Sequence, residues 1–188
     1  MADLRITGFS GNPARPSRTR ALVTTVAETA AARLGGEAAI HDLVDLSPSL
    51  GTARRLSELD PQARGIVEAI LAADVLVVAS PTYKGSYSGL FKHLFDLIDP
   101  LALAGKPVIL AATGGGDRHA LVVEHQLRPL FGFFAVHSAP TALYAAERDI
   151  EDGRVTSQAL LARIRQSVDE VGRLLPQARR VPALLAAE

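Results

Sequence analysis

Three loops of this chain carry the residue types that could do chemistry, and one of them is unusually rich. Ser80-Pro81-Thr82-Tyr83-Lys84-Gly85-Ser86-Tyr87 follows the apolar run Val75–Ala79 and leads into a helical pattern with Leu90, Phe91, Leu94, Phe95, Leu97 and Ile98. Eight residues separate Ala79 from Ser88, where an ordinary strand-to-helix connection takes about 2–6. Pro81 stiffens the start of the loop, and Gly85 lets backbone approach a flat group closely. Such a loop presents backbone N–H and C=O groups to a planar heterocycle. The chemistry it implies is binding and positioning of a ring.

A second loop, Ser10-Gly11-Asn12-Pro13-Ala14-Arg15-Pro16-Ser17-Arg18-Thr19, joins the first apolar run to a helical pattern. Free N–H groups at a helix start, the Ser17 and Thr19 hydroxyls and Arg18 together suit a phosphate. The loop is not G-x-G-x-x-G, and no Gly-Lys-Ser/Thr follows, so neither a dinucleotide fingerprint nor a nucleoside triphosphatase is indicated. Plain N-capping by Ser17, with solvated arginines, is the competing reading. The third loop is Thr113-Gly114-Gly115-Gly116-Asp117-Arg118-His119. Its glycines leave room for something flat, or make a simple flexible turn. All three loops being rich in hydroxyls or glycine favours a shared ligand: a phosphate at the first, a ring at the other two.

The elements that must position these loops alternate between strand and helix patterns. Strands are expected at Leu4–Phe9, Ala38–Leu46, Val75–Ala79, Pro107–Ala112 and Phe133–Leu143. A helix capped by Ser17 ends at Gly35-Gly36, and others are expected at Pro61–Ala72, Ser88–Ile98, His119–Phe131 and Ser157–Leu175, the last stopped by Pro176. Five such strands alternating with helices predict an α/β fold: a doubly wound, five-stranded parallel sheet with helices on both faces. Residues 1–176 are expected to form one domain and 177–188 a C-terminal tail, in which Val181–Leu185 is apolar. Right-handed crossovers bring the loops after the first, third and fourth strands to one sheet edge, where open α/β sheets bind ligands.

Composition narrows the classes. The chain has 188 residues, with Lys+Arg and Asp+Glu both 20, which gives no reason to expect nucleic acid or an anionic membrane as partner. It has no cysteine, which removes disulfides, thiolate metal sites and thiol nucleophiles. His41, His93 and His137 lack ligand spacing, so no metal site is expected. The chain enters its first strand at once, without room for a signal peptide, and no apolar run approaches about 18 residues. A cytoplasmic protein is the expectation.

On these residues the chain resembles the NAD(P)H-dependent FMN reductase family, of flavodoxin-like fold. The resemblance is strongest at Ser80-Pro81-Thr82-Tyr83-Lys84, Ser88-Gly89-Leu90-Phe91-Lys92 and Thr113-Gly114-Gly115. It points to the branch of flavin reductases that serve alkanesulfonate monooxygenases in two-component systems. The opening Phe9-Ser10-Gly11-Asn12-Pro13 departs from the family's Gly-Ser-Pro. The resemblance implies that Ser10, Ser17, Arg18 and Thr19 hold the FMN phosphate, that Pro81, Thr82, Tyr83 and Lys84, with Ser86, line the isoalloxazine, and that Thr113, Gly114 and Gly115, with Gly116 and Asp117, contact its other side. Thr113, His119 and His125 are the candidate positioning residues. The implied reaction is hydride transfer from NAD(P)H to FMN, with FMNH2 released to a partner monooxygenase. Alternatives are a quinone or azo-dye reductase that retains FMN and, in another class, a flavodoxin-type electron carrier. Balanced charge and the lack of Trp argue against the carrier.

One feature is readable without any family. Pro129 sits inside a helical pattern, lacks an N–H, and crowds the carbonyl of His125, so the helix should kink or widen there. The resemblance places a one-residue π-helical insertion at this position, beside the flavin at a subunit interface, associated with exchangeable flavin. A surface histidine near a proline kink is the plainer reading. Phe91, Phe95, Leu121, Val122, Leu130 and Phe131 look like more apolar surface than one sheet face needs, which suggests a homodimer or homotetramer.

Overall fold

The computed structural model describes residues 4–175. Strands β1 (Leu4–Ser10), β2 (Gly36–Asp42), β3 (Val75–Pro81) and β4 (Pro107–Gly114) form a parallel sheet in the order β2-β1-β3-β4. Its outer position beyond β4 is shared by two short strands, β5 (His137–Ser138) and β6 (Leu143–Ala146), both parallel to β4. Helices α1 (Arg18–Leu34), α2 (Pro61–Ala72), α3 (Gly89–Asp96), α4 (Arg128–Phe133) and α5 (Gln158–Leu174) cover the sheet, and a hairpin, β7 (Ile150–Glu151) with β8 (Arg154–Val155), precedes α5.

The strand sequences explain the layering. β3 is apolar nearly throughout and buried along its whole length, as a central parallel strand with helices on both faces must be. Alternate residues serve opposite faces. Leu76, Val78, Leu110 and Ala112 join α2, α3 and α4 in one core, while Val75, Val77, Ile109 and Ala111 join α1 and α5 in the other. Phe9, Phe91, Phe95 and Phe131 stack into an aromatic knot in the first core. Helix starts follow their caps: Ser17, Asp60, Ser88 and Ser157 each accept from a backbone N–H in the first turn.

Four expectations need correction. The strand expected at Ala38–Leu46 runs Gly36–Asp42, because Gly35 alone caps α1 and residues 43–47 turn. The helix expected at Ser88–Ile98 ends at Asp96. The single strand expected at Phe133–Leu143 is two. Phe133 closes α4, and Pro140, which has no N–H for the ladder, sits where pairing with β4 is interrupted. Glu170 instead accepts from the Thr141 N–H and hydroxyl, both at 2.7 Å. The helix expected at His119–Phe131 is broken into a 3₁₀ turn at Asp117–His119, a π-helical turn at Val123–Leu127, and α4. Pro176 and the apolar stretch Val181–Leu185 lie outside the described residues.

Candidate active site

The C-terminal ends of β1, β3 and β4 open on one cleft of about 550 Å³. Each of its walls is set by local chemistry. The first loop leaves β1 with the Gly11 N–H donating to Ala79 O at 2.7 Å, while the Ser88 hydroxyl donates to Gly11 O at 2.6 Å. Ser17 then caps α1 by accepting from the Arg20 N–H at 3.1 Å. This leaves the other N–H groups of the first turn facing the cleft corner. Arg18 pairs with Glu147 across that corner, both side chains being about half exposed or more. A pair so solvated contributes little, so Arg18 is available to a stronger anion.

Behind the corner, Arg15 donates twice to Asp42 at 2.7 and 2.9 Å and once to Asp45 at 2.6 Å, and Arg20 donates to Asp42 at 2.8 Å. Asp42 is 1 % exposed. The network ties the first loop and α1 to the end of β2. Burial pushes the Asp45 carboxyl up, but hydrogen bonds from Arg15 and from the Asp42 N–H outweigh it and hold Asp45 below its ordinary 3.8. A depressed folded value means that the unfolded chain takes up the proton first. The contribution is therefore complete above about pH 4 and lost as pH falls through the folded value. Asp45→Asn is expected to flatten the acid limb of melting temperature against pH while leaving the neutral region nearly parallel to wild type.

The third-strand loop is not the open arm that its length suggests. Tyr83 and Ser86 exchange backbone hydrogen bonds of 2.8 and 3.1 Å, closing a tight turn with Lys84 and Gly85 at φ 53° and 84°. Gly85 therefore serves a left-handed turn position. The Ser86 hydroxyl donates to Gln126 Oε1 at 2.8 Å, linking this loop to the π-helical turn. In the fourth-strand loop, Gly114 is required by close approach, since a Cβ there would collide with the Tyr144 hydroxyl. Tyr144 donates to Gly116 O at 2.6 Å, and burial, then the Asp117 charge, raises its phenol so that it stays a neutral donor. Thr113 joins all three loops: it shares a 2.7 Å hydroxyl–hydroxyl bond with Thr19, and its carbonyl accepts from the Thr82 N–H at 2.7 Å.

Of the residues expected from sequence, Ser17, Arg18, Thr19, Pro81, Thr82, Tyr83, Thr113, Gly114 and Gly115 line the cleft together. Lys84, Ser86, Gly116 and Asp117 do not line it, and Asp117 pairs with Arg148 at 2.7 and 2.9 Å. Ser10 also lies off the cleft lining and is fully buried at the end of β1, but its Oγ has no hydrogen-bond partner, and neither does the buried Thr82 Oγ1. His119 is in the 3₁₀ turn after the glycines, off the cleft. His125 is on the π-helical turn and lines a second cleft of about 510 Å³ with Tyr87, Lys92, Gln126, Pro129 and Phe133. Sequence reasoning missed Asn12, Pro16, Ala145, Ala146, Ile150, Asp152 and Gly153, which complete the first cleft. Asp152-Gly153 was findable, because Asp-Gly between short apolar runs is a strong hairpin signal.

A β4 edge set with glycines, a helix N-terminus with Ser17 and Arg18, and the orphaned Thr82 hydroxyl fit a flat ring carrying a phosphate. A family model described as NADPH-dependent FMN reductase matches residues 4–150. The chain belongs to the NADPH-dependent FMN reductase family. It is accordingly an oxidoreductase, with FMN and a reduced nicotinamide as its cofactors. It is 46% identical over 171 residues, 91% of each chain, to the NADH-dependent FMN reductase SfnF of Pseudomonas fluorescens. An oxidoreductase structure from Corynebacterium diphtheriae matches with TM-score 0.81 at 33% identity, covering 93% of this chain and 98% of that one. A WrbA-like flavodoxin from Agrobacterium tumefaciens matches with TM-score 0.62 at 16% identity, over 92% and 98% of the two chains, which shows the flavodoxin-like fold. Among the described residues of this family member no group of three or more His, Asp or Glu could hold a metal ion, and no helix is long and apolar enough to cross a membrane.

Proposed function

We propose that this reductase takes hydride from NADH or NADPH, passes it to FMN that enters as a substrate, and releases FMNH2 to a separate monooxygenase in the cytoplasm. The observation that carries the reading is the convergence of three loops on one open cleft, with the α1 N-terminus and the Gly114-Gly115 end of β4 both on its lining. FMN supplies the hydride acceptor when bound, and positioning rather than acid–base chemistry is what the protein must add. Ser17, Arg18 and Thr19 hold the phosphate. Thr82 Oγ1, on the cleft lining and lacking a protein partner, supplies a hydrogen bond to the ligand or to water that accompanies it, whereas Ser10 Oγ is enclosed behind the lining. Pro81, Tyr83, Thr113, Gly114 and Gly115 line the ring. Lys84, Ser86, Gly116 and Asp117 support this wall from outside, through the Tyr83–Ser86 turn, Gln126, Tyr144 and Arg148. No residue in the cleft is required as nucleophile or general base.

Steady-state oxidation of NADH and of NADPH with FMN, FAD and riboflavin tests the reading. The expected result is turnover that saturates with added FMN, by protein that purifies largely colourless and loses FMN on gel filtration. Stoichiometric FMN retained through dialysis, with turnover independent of added FMN, would replace it with the FMN-retaining quinone or azo-dye reductase.

A homo-oligomer belongs to the same proposal, with Leu121 kept from the expected apolar set and Phe133 added to it. Phe91, Phe95, Val122 and Phe131 are buried within the chain itself, whereas Leu121 and Phe133 are 68% and 71% exposed. Phe133 lines the second cleft beside His125. Light scattering at micromolar concentration is expected to give at least twice the 19.9 kDa chain mass, and Phe133→Asp to shift the protein toward monomer. A wild-type monomer would remove the interface from the proposal.

A further inference from the structure

Arg15, Arg18 and Arg20 stand around the phosphate corner, and their partners sort them. Arg15 and Arg20 are committed to Asp42, a carboxylate buried at the end of β2, and both reach Asp45 as well. Arg18, on the cleft lining, is held instead by Glu147, whose side chain is 64% exposed. Taking Arg15 or Arg20 away would leave a buried carboxylate short of its counter-charge, which is costly. Parting Arg18 from Glu147 returns both groups to water and costs little.

Glu147 opens the 3₁₀ turn Glu147–Asp149 that follows β6, and the turn is fixed without its side chain. The Asp149 carboxylate accepts from the Ala146 N–H at 2.8 Å, and the Thr156 N–H donates to Asp149 O at 3.0 Å. Arg148 ties the same turn to Asp117. Ala145, Ala146 and Ile150 line the cleft on either side of Glu147, which does not line it itself. Its carboxylate therefore reaches the guanidinium from outside the lining, and can let go without moving the wall.

We propose that Glu147 is an internal rival of the flavin phosphate for Arg18, and that it sets how long FMN stays. Between flavins it neutralises Arg18. An arriving phosphate, with more charge and more acceptor oxygens than a carboxylate, takes the guanidinium, and Glu147 turns to solvent. Each binding event gives up one ion pair and each release regains it, so FMN is held less tightly than the corner alone would hold it. Riboflavin carries no phosphate and meets no such competition. An exposed pair of this kind is worth a factor of about 1.5–5 in an equilibrium constant. The proposal rests on the phosphate corner assigned above.

Titration of FMN and riboflavin by flavin fluorescence, with stopped-flow measurement of FMN dissociation, tests it on wild type, Glu147→Gln, Arg18→Ala and the double variant. Glu147→Gln is expected to tighten FMN about threefold, through slower dissociation, and to leave riboflavin unchanged, which also shows that the variant is folded. Arg18→Ala is expected to weaken FMN about tenfold. In that background Glu147→Gln is expected to change FMN affinity by less than about 1.5-fold, because the contested group is gone. FMN affinity unchanged or weakened in Glu147→Gln would overturn the proposal. So would an equal gain for riboflavin, or a gain that persists beside Arg18→Ala, which would assign the effect to the carboxylate's field rather than to competition for Arg18. Failure of the phosphate corner itself reads differently: Arg18→Ala would then weaken FMN no more than riboflavin, and the proposal would fall with the corner.

Discussion

Deletion of His125 is expected to give a yellow protein that keeps its FMN and loses at least about tenfold in turnover with free FMN. The π-helical turn Val123–Leu127 is closed by the Arg128 N–H on Val123 O, a five-residue step, and Pro129 has no N–H to offer the His125 carbonyl. The far side of this turn is anchored. Arg128 donates to Glu124 at 2.6 and 2.9 Å, to Ser138 Oγ at 2.8 Å and to the carbonyls of Ala139 and Pro140. The near side touches the loop after β3 through Gln126 and Ser86. Removing one residue turns Gln126 and α4 by about 100° relative to the chain before the turn. Gln126 then swings away from Ser86 and the exposed face around Phe133 changes register. Oxidation of NAD(P)H with ferricyanide is expected to survive in the deletion variant. The absorbance spectrum of the purified protein and its turnover with added FMN check this. A colourless deletion variant with wild-type turnover would show that the widened turn has no part in flavin exchange.

Paired replacement of Ser17 and Arg18 by alanine is expected to weaken FMN on the order of 100-fold and riboflavin by less than about threefold. Hydrogen bonds to a charged partner contribute about 1.5–3 kcal/mol each, and two at the lower figure correspond to about two decades of affinity. Ser17 also caps α1, so part of its loss reaches stability, on the order of 1 kcal/mol. The comparison with riboflavin removes that part, because both flavins meet the same weakened helix. Equal losses for the two flavins would sink the phosphate assignment.

The core of the sheet was legible because a central parallel strand must be apolar along both faces. Val75–Ala79 and Pro107–Ala112 could hardly be anything else, and β3 and β4 simply extend two residues further. The outer position was not legible. Phe133–Leu143 is apolar enough for one strand, but its start closes α4, and the missing N–H of Pro140 and the anchoring of Thr141 by α5 divide the rest. The three loops were readable as walls of one cleft because topology forces them to a common edge. Side-chain partners were not, because they come from distant chain: Asp117 finds Arg148, Ser86 finds Gln126, and Arg18 finds Glu147. The widened turn was readable because a proline without an N–H acts locally.

Thr113, one residue before the end of β4, holds Thr19 through its hydroxyl and Thr82 through its carbonyl. The walls of the cleft are thereby fastened to one another before any ligand arrives. Ordering of these loops is then settled at folding and does not recur at each encounter. If flavin exchanges as proposed, each molecule meets the same floor, and differences in residence time report contacts made to the ligand rather than closure of the protein around it.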